Sequence, residues 1–391
     1  MPLSISILNI YGYEIAKISG RNPVIIEARY TGKVACPFCK GENLRKKDRY
    51  IRKLNHESIG GRKTRLHLTG YKYHCLACSR YFNQRFPGVL KYKRSTEGFR
   101  REVFEKHNNG HTQSYLSKSL EIGTATVERW YHEYLERKVR EFKNSPCPRV
   151  MGIDEHFFTR RRGYATTICD LAGHRVYDIV LGRSEAALSG YFRRLRGKDD
   201  VEVVVMDLSD TYRNIIRSHF PNAKIVTDRF HVIRLVNHHF LRIWADIDPV
   251  GRKNRGLLSL MRRHRHNLSP EQYGNLSQYL GEHPELAAIY DFKQDLCRLL
   301  LKKKRTARQC RRLIPIFLDY IERLKGSMLS SMVTLGKTLE SWREEVVRMF
   351  RFTKSNGILE GFHNKMEMIS RRAYGFRNFE NYRLRVKALC C

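Results

Sequence analysis

Arg149-Val150-Met151-Gly152-Ile153-Asp154-Glu155-His156-Phe157-Phe158 is an apolar run that ends on two adjacent carboxylates. A second strand-like segment, Arg162-Gly163-Tyr164-Ala165-Thr166-Thr167-Ile168-Cys169, follows it at hairpin distance, and a third occupies 174–181 after the turn Ala172-Gly173-His174. Connections this short make the first pairings antiparallel. A helical pattern from Glu185 to Leu195 then crosses to the β-branched run Val201-Glu202-Val203-Val204-Val205-Met206, closed by Asp207. A second helix, Thr211 to His219, leads to Ala223-Lys224-Ile225-Val226-Thr227, closed by Asp228.

Three meandering strands followed by strand–helix alternation is the order of a ribonuclease-H-like mixed α/β domain. The first strand is central in that layout and lies beside the fourth. Asp154 and Asp207 are therefore expected to be neighbours although 53 positions separate them (207 − 154).

The rest of the chain constrains what such a site acts on. At 391 residues it exceeds one ordinary core, and a hydrophobic fraction of 41% supports several, giving a multidomain α+β protein. Against 39 Asp and Glu stand 74 Lys and Arg, a net +35. Self-repulsion of that size calls for a polyanionic partner, so double-stranded DNA is expected and a membrane is not. No apolar run approaches the roughly 18–20 residues of a span, and Met1 to Ile10 has neither a basic start nor a cleavage site, which points to the cytoplasm. Of ten cysteines, four form two C-x-x-C pairs, a pattern that in a reducing compartment favours metal over disulfides.

Those pairs are Cys36-Pro37-Phe38-Cys39 and Cys75-Leu76-Ala77-Cys78. Two such knuckles supply the four thiolates of one tetrahedral structural Zn2+. Between them Leu66, Leu68, Tyr71 and Tyr73 alternate as in the hairpin of a zinc ribbon, although the gap is longer than usual. Nearby His56, His67 and His74 are read as surface histidines, with His74 the one alternative ligand. Residues 1–92 thus form a unit of short strands (Ile5, Ile7, Val24, Ile25, Ile26) and zinc ribbon. From 93 to 145 the period turns helical. Phe99, Val103 and Phe104 mark a first helix, Gln113 to Leu120 a second, and Thr124 is expected to cap a third. Helix, helix, Gly-containing turn, helix is a helix-turn-helix arrangement; Thr124, Thr126 and Arg129 would face DNA while Val127 and Trp130 pack inward. Any three-helix bundle shares this pattern. Ser145-Pro146-Cys147-Pro148 is the linker to the catalytic core, 149–231.

An all-helical basic insertion is expected over 232–350. Its cluster Lys302-Lys303-Lys304-Arg305 is either a solvated helix face or a DNA-backbone contact. Residues 351–391 return to the core with a helix starting Ser355-Asn356-Gly357-Ile358-Leu359-Glu360-Gly361-Phe362-His363. Leu359, Phe362, Met366 and Ile369 form its apolar face, and Glu360, His363, Asn364, Glu367 and Arg371 its polar stripe. Asp154, Asp207 and Glu360 would then meet at one site. Uncompensated acids repel one another, so such a cluster implies cations, and two Mg2+ (or Mn2+) held by carboxylates are what phosphodiester cleavage requires. Glu155, Asp170, Asp210 and Asp228 are the competing carboxylates.

The ordered segments Gly152-Ile153-Asp154-Glu155, Met206-Asp207-Leu208-Ser209, Thr227-Asp228-Arg229-Phe230-His231 and Glu360-Gly361-Phe362-His363…Arg372-Ala373-Tyr374-Gly375-Phe376-Arg377 resemble bacterial insertion-sequence transposases of the ISL-three family, over nearly the whole chain. The resemblance implies a DDE transposase with Asp154, Asp207 and Glu360 as its metal-binding triad. It implies hydrolysis at the element's terminal inverted repeats, freeing a 3′-hydroxyl that then attacks target DNA, with no protein nucleophile. Asp228 and His231 match a motif of related transposases and are auxiliary candidates, with a helix-start hydrogen bond as the alternative role for His231. Work on two DNA ends implies a homodimer or larger. The competing readings are a nuclease of the same fold without strand transfer and a non-catalytic zinc-dependent DNA binder.

Overall fold

The computed structural model describes residues 8–142, 144–303, 306–352 and 357–390. Ile5, Ile7, Lys304, Arg305, Ser355 and Asn356 lie outside these. The chain divides into two compact units, Met1–Arg140 with Arg371–Gly375 and Glu141–Ser370 with Phe376–Cys391.

In the first unit, strands β1 (Tyr13–Ser19), β2 (Val24–Tyr30), β3 (Leu44–Ile59), β4 (Arg62–Cys75) and β5 (Tyr81–Asn83) form one sheet in the order β1-β2-β4-β3, with β5 also on β4. The expected hairpin is β3–β4, closed by Gly60 and Gly61, both at positive φ (58° and 73°), which only glycine adopts in succession without strain. The early strands are not a separate layer. β2 pairs in parallel with the middle of β4, and Tyr13, Val24, Ile26, Ala28, Leu54, Leu66, Leu68 and Phe86 share one core. Three helices follow: α1 (Glu97–Asn108), α2 (Gln113–Leu120) and α3 (Thr124–Arg140), around Phe99, Val103, Leu116, Leu120, Val127 and Trp130. Thr96 and Thr112 cap α1 and α2. At α3 the carbonyl of Gly123 accepts the Val127 N–H (3.1 Å), so the cap position falls one residue before the expected Thr124.

The second unit opens with the antiparallel meander β6 (Val150–Thr159), β7 (Gly163–Asp170) and β8 (Arg175–Leu181). Helix α4 (Glu185–Arg193) leads to β9 (Val203–Met206), and α5 (Asp210–His219) to β10 (Lys224–Thr227). The sheet order is β10-β9-β6-β7-β8, with β9 parallel to both neighbours. A strand covered on both faces reads as an unbroken β-branched run, and β9 (Val203, Val204, Val205, Met206) is buried throughout.

From α6 (Arg229–Ile247) onward the described residues up to Arg351 form only helical elements: α7 (Pro249–Lys253), α8 (Arg255–Arg262), α9 (Pro270–Gly281), α10 (Pro284–Leu301), α11 (Ala307–Arg311), α12 (Leu313–Lys325), α13 (Ser330–Ser341) and α14 (Arg343–Arg351). They serve two cores. Leu299, Phe317, Leu339, Trp342, Val346 and Phe350 join the sheet's own core, while Phe240, Trp244, Met261, Leu276, Leu286 and Tyr290 form a smaller one. Buried Arg229 fastens the start of α6 by donating to the carbonyls of Leu300 (2.9 Å) and Met349 (2.8 Å). The chain ends with α15 (Gly357–Arg372) and α16 (Phe379–Leu389). Among the described residues no helix is long and apolar enough to cross a membrane.

Candidate functional site

Register assembles the acidic edge. In the parallel pairing of β6 with β9, Gly152 lies opposite Val205, so two residues further on Asp154 falls opposite Asp207. In β9 with β10, Met206 lies opposite Thr227, so the next positions are Asp207 and Asp228. Three aspartates thus stand in one row across three adjacent parallel strands, Asp207 and Asp228 just past the ends of β9 and β10 and Asp154 within β6. His231, one turn into α6, reaches back over the row with Nε2 3.0 Å from Asp207 Oδ1 and 4.0 Å from Asp228 Oδ2. One ligand atom from each of Asp154, Asp207 and His231 lies within 4.8 Å of the others.

The row is electrostatically unfavourable as it stands. Burial pushes the Asp207 carboxyl up to about 8, and Asp154, Asp228 and Glu155 push in the same direction. Burial also raises Asp154 to about 6, with Asp228, Glu155 and Glu360 adding to it. His231 offers no counter-charge, because burial lowers its pKa. Asp207 Oδ1 is buried and makes no hydrogen bond of acceptable geometry, despite its approach to His231. An orphaned carboxylate oxygen beside a second carboxylate and a neutral imidazole is a donor set for a divalent cation.

Glu360 lies outside this mutually close group. It sits exposed in the first turn of α15, and its charge reaches Asp154. Among the other acids, Glu155 pairs with Arg183 (3.1 Å). Asp170 is at the far end of β7, capping the Ala172–Gly173 turn and pairing with Arg175. Asp210 is exposed on α5 beside Arg213.

Sequence reasoning missed a chain of buried groups behind Asp154. Thr167 lies directly across from Asp154 in the β6–β7 pairing. Its Oγ1 is 3.1 Å from His363 Nε2 and 2.8 Å from His156 Nδ1, and His156 Nε2 is 2.9 Å from the Tyr382 hydroxyl. His363 Nδ1 faces Asp154 Oδ2 at 3.8 Å. Burial keeps both imidazoles neutral, lowering His363 to about 4 and His156 to about 3. One ordering of the protons ends with an N–H aimed at Asp154: Tyr382 donates to His156, His156 to Thr167, Thr167 to His363. The network pins α15, three residues after Glu360, to the strand beside Asp154. Two signals for it were available: the shared pleat of Asp154 and His156, and the one-turn spacing of Glu360 and His363. His363→Ala is expected to destabilise the protein by ~1–2 kcal/mol in urea unfolding, and His363→Gln, whose amide oxygen keeps an acceptor near the Nε2 position, to recover most of that.

Cys36, Cys39, Cys75 and Cys78 converge at the end of the β3–β4 hairpin. The Sγ atoms of Cys36 and Cys78 are 3.6 Å apart and those of Cys39 and Cys75 3.5 Å, close to the ~3.8 Å edge of a tetrahedron with 2.3 Å Zn–S bonds. The knuckles are pre-shaped by backbone bonds, Cys36 N–H to Gly41 O and Cys75 N–H to Arg80 O (both 2.9 Å). His74 stacks on Tyr81 (4.5 Å between rings), and His56 is not a surface residue but is buried against Thr96 Oγ1 (3.0 Å). In α3, Thr124 and Arg129 are exposed, Thr126 is half-buried, and Val127 and Trp130 face inward. Lys302 and Lys303 are exposed in the segment after α10, so they lie on a connection rather than on a helix face.

Residues 151–386 match the family model of DDE transposases of the ISL3 type, described as a transposase, and residues 32–78 match the zinc finger of the IS204/IS1001/IS1096/IS1165 transposases. The class of protein these matches define is a transposase. The chain belongs to the ISL3 transposase family. It is 24% identical over 364 residues to the transposase for insertion sequence element IS1001 of Bordetella parapertussis, covering 90% of this chain and 88% of that protein. It is 22% identical over 298 residues to the transposase for insertion sequence element IS1557 of Mycobacterium tuberculosis, covering 66% of this chain and 62% of that one.

Proposed function

We propose that the protein binds the terminal inverted repeats of its own insertion element and cuts and rejoins DNA at one ribonuclease-H-like carboxylate site. The observation that carries this is the convergence of Asp154, Asp207 and His231 on one sheet edge, with an orphaned oxygen on Asp207. Asp154 and Asp207 would hold a pair of Mg2+ or Mn2+ ions, with Glu360 completing the triad. When bound, the ions activate water and stabilise the leaving oxygen of a phosphodiester. His231 contributes an imidazole to the same set, and the Thr167–His363 bond holds the helix of Glu360 in register with Asp154. Helices α1–α3 act as the helix-turn-helix reader, with α3 in the major groove presenting Thr124, Thr126 and Arg129. Lys302 and Lys303 bind backbone phosphate, the four cysteines hold one Zn2+, and a homodimer or larger assembly joins two ends in the cytoplasm.

The test uses full-length protein and duplexes carrying the DNA that flanks its own coding sequence. Cleavage at discrete positions, leaving 3′-hydroxyls, is expected only with divalent metal. Mn2+ is expected to support it at a lower concentration than Mg2+, because Mg2+ gives up its waters reluctantly and demands near-ideal octahedral oxygen geometry. DNA binding that is tight but yields no cleavage with either metal would leave only the non-catalytic binder.

A further inference from the structure

Strands β6 and β7 overshoot the acidic edge. β9 and β10 stop level with Asp154, whereas β6 runs on to Thr159, roughly 15–20 Å further at ~3.3 Å per residue. The projecting tip is Arg160-Arg161-Arg162, closed by Gly163 at φ +71°. All three arginines are exposed, and among the described residues none has an ion-pair partner. Just below them Phe157 and Tyr164 face each other across the two strands and remain 55% and 40% exposed. Their rings meet edge to face at 5.6 Å. Tyr164 is in turn covered by the Arg183 guanidinium at 4.5 Å, which Glu155 holds at 3.1 Å. The arrangement is a buttressed aromatic step with Phe157 more than half exposed.

We propose that this hairpin is a nucleic-acid subsite, with the arginines on backbone phosphates and Phe157 stacking on an unpaired base a few nucleotides from the cut. The proposal rests on the transposase reading of the carboxylate edge and adds a residue-level DNA contact to it. Charge selects the partner: an exposed aromatic pair ringed by unpaired arginines suits a polyanion with flat apolar faces. Position selects the unpaired base. Phe157, on the pleat it shares with Glu155 and opposite to that of Asp154, is three residues beyond Asp154, about 10 Å along the strand, which spans about three nucleotides at 3.4 Å each. Bases inside a duplex offer no free face, whereas a frayed or cut end does.

The test is made with the full chain in buffer without divalent metal, so that failure of cleavage cannot mask it. The probes are a blunt duplex and the same duplex with a five-nucleotide single-stranded tail carrying 2-aminopurine. Wild-type protein is expected to quench the tail fluorescence. Phe157→Ala should lose the quench and bind the tailed probe roughly 5- to 100-fold more weakly, with blunt-duplex binding unchanged, and Phe157→Trp should restore both. Replacing Arg160, Arg161 and Arg162 together by Ala should flatten the log–log salt dependence by about two to three, at ~0.9 per phosphate, for both probes. An absent quench in the wild type, equal losses on both probes for Phe157→Ala, or an unchanged salt slope in the arginine variant would overturn the proposal.

Discussion

Replacing Asp207 with Asn is expected to abolish DNA cleavage and to make the metal-free protein more stable. The two effects share one cause. Asp207 is raised from the ordinary carboxylate value to about 8 by burial and by Asp154, Asp228 and Glu155, so its ionised form is disfavoured in the folded state. A folded-state pKa above the unfolded value means that the native protein binds the proton more tightly. Stability then falls as pH rises from about 4 to about 8, where the unfolded chain has already lost that proton. Asparagine removes the titration. At ~1.4 kcal/mol per pH unit, discounted for the 19% exposure of the side chain, the gain above pH 7 is ~1–3 kcal/mol, and it vanishes near pH 4. Asp154→Asn should behave alike with a narrower window, closing near pH 6. Added Mg2+ should raise the melting temperature of the wild type and not of Asp207→Asn, since ligand binding to the folded state stabilises it. Loss of the cation site, worth several kcal/mol in the transition state, corresponds to at least roughly a thousandfold loss of cleavage. Melting curves from pH 4 to 9 decide the stability half; a variant less stable than wild type at pH 8 would remove the case for repelling carboxylates.

Glu360 provides the contrast. It is exposed, so Glu360→Gln should lose cleavage while stability stays within ~0.5 kcal/mol. Opposite stability signatures at equal catalytic loss separate a ligand built into the sheet from one brought to it on a helix.

The sheet was legible because strand burial leaves a local mark. Val203 to Met206 is apolar without interruption, the meander has short turns, and the two Asp residues each follow such a run directly. The cysteine knuckles were legible for the same reason, since metal ligation fixes a short spacing. What did not show was anything set by long-range register. That Val24 to Tyr30 adds in parallel to the hairpin of the ribbon depends on which of several edges it meets. That Thr167, His156, His363 and Tyr382 join behind Asp154 depends on pairing across β6–β7 and on the seating of two late helices. The partition of the helical segment between two cores was equally hidden, because each of its helices has a single apolar face and nothing in a face names its partner.

Removing zinc is expected to unravel one end of the first unit while leaving its other end folded. The four thiols close the far end of the β3–β4 hairpin, where Leu44 pairs with Cys75 and which lies outside the unit's main apolar core. Arg45, Lys46, Lys47 and Arg49 outnumber Glu42 and Asp48 at that end, and the ligated thiolates add further negative charge to it. At the other end Leu54, Leu66 and Leu68 sit in a core with Tyr13, Val24 and Ile26, which needs no metal. Structural zinc is worth roughly 10–16 kcal/mol in peptides that have no other core, and the pre-existing core here should reduce the loss to several kcal/mol. Cys36→Ser or a chelator should therefore abolish the bound Zn2+, expose the remaining ligand thiols (three in the variant, four with the chelator), and strip hydrogen-exchange protection from residues 34–46 and 71–83. Protection of β6 to β10 should be unchanged. Uniform loss of protection across β1 to β4 would mean that the ribbon and the early strands fold as one metal-dependent element. No loss at all, in protein shown to be zinc-free, would mean that the knuckles are held by backbone bonds alone.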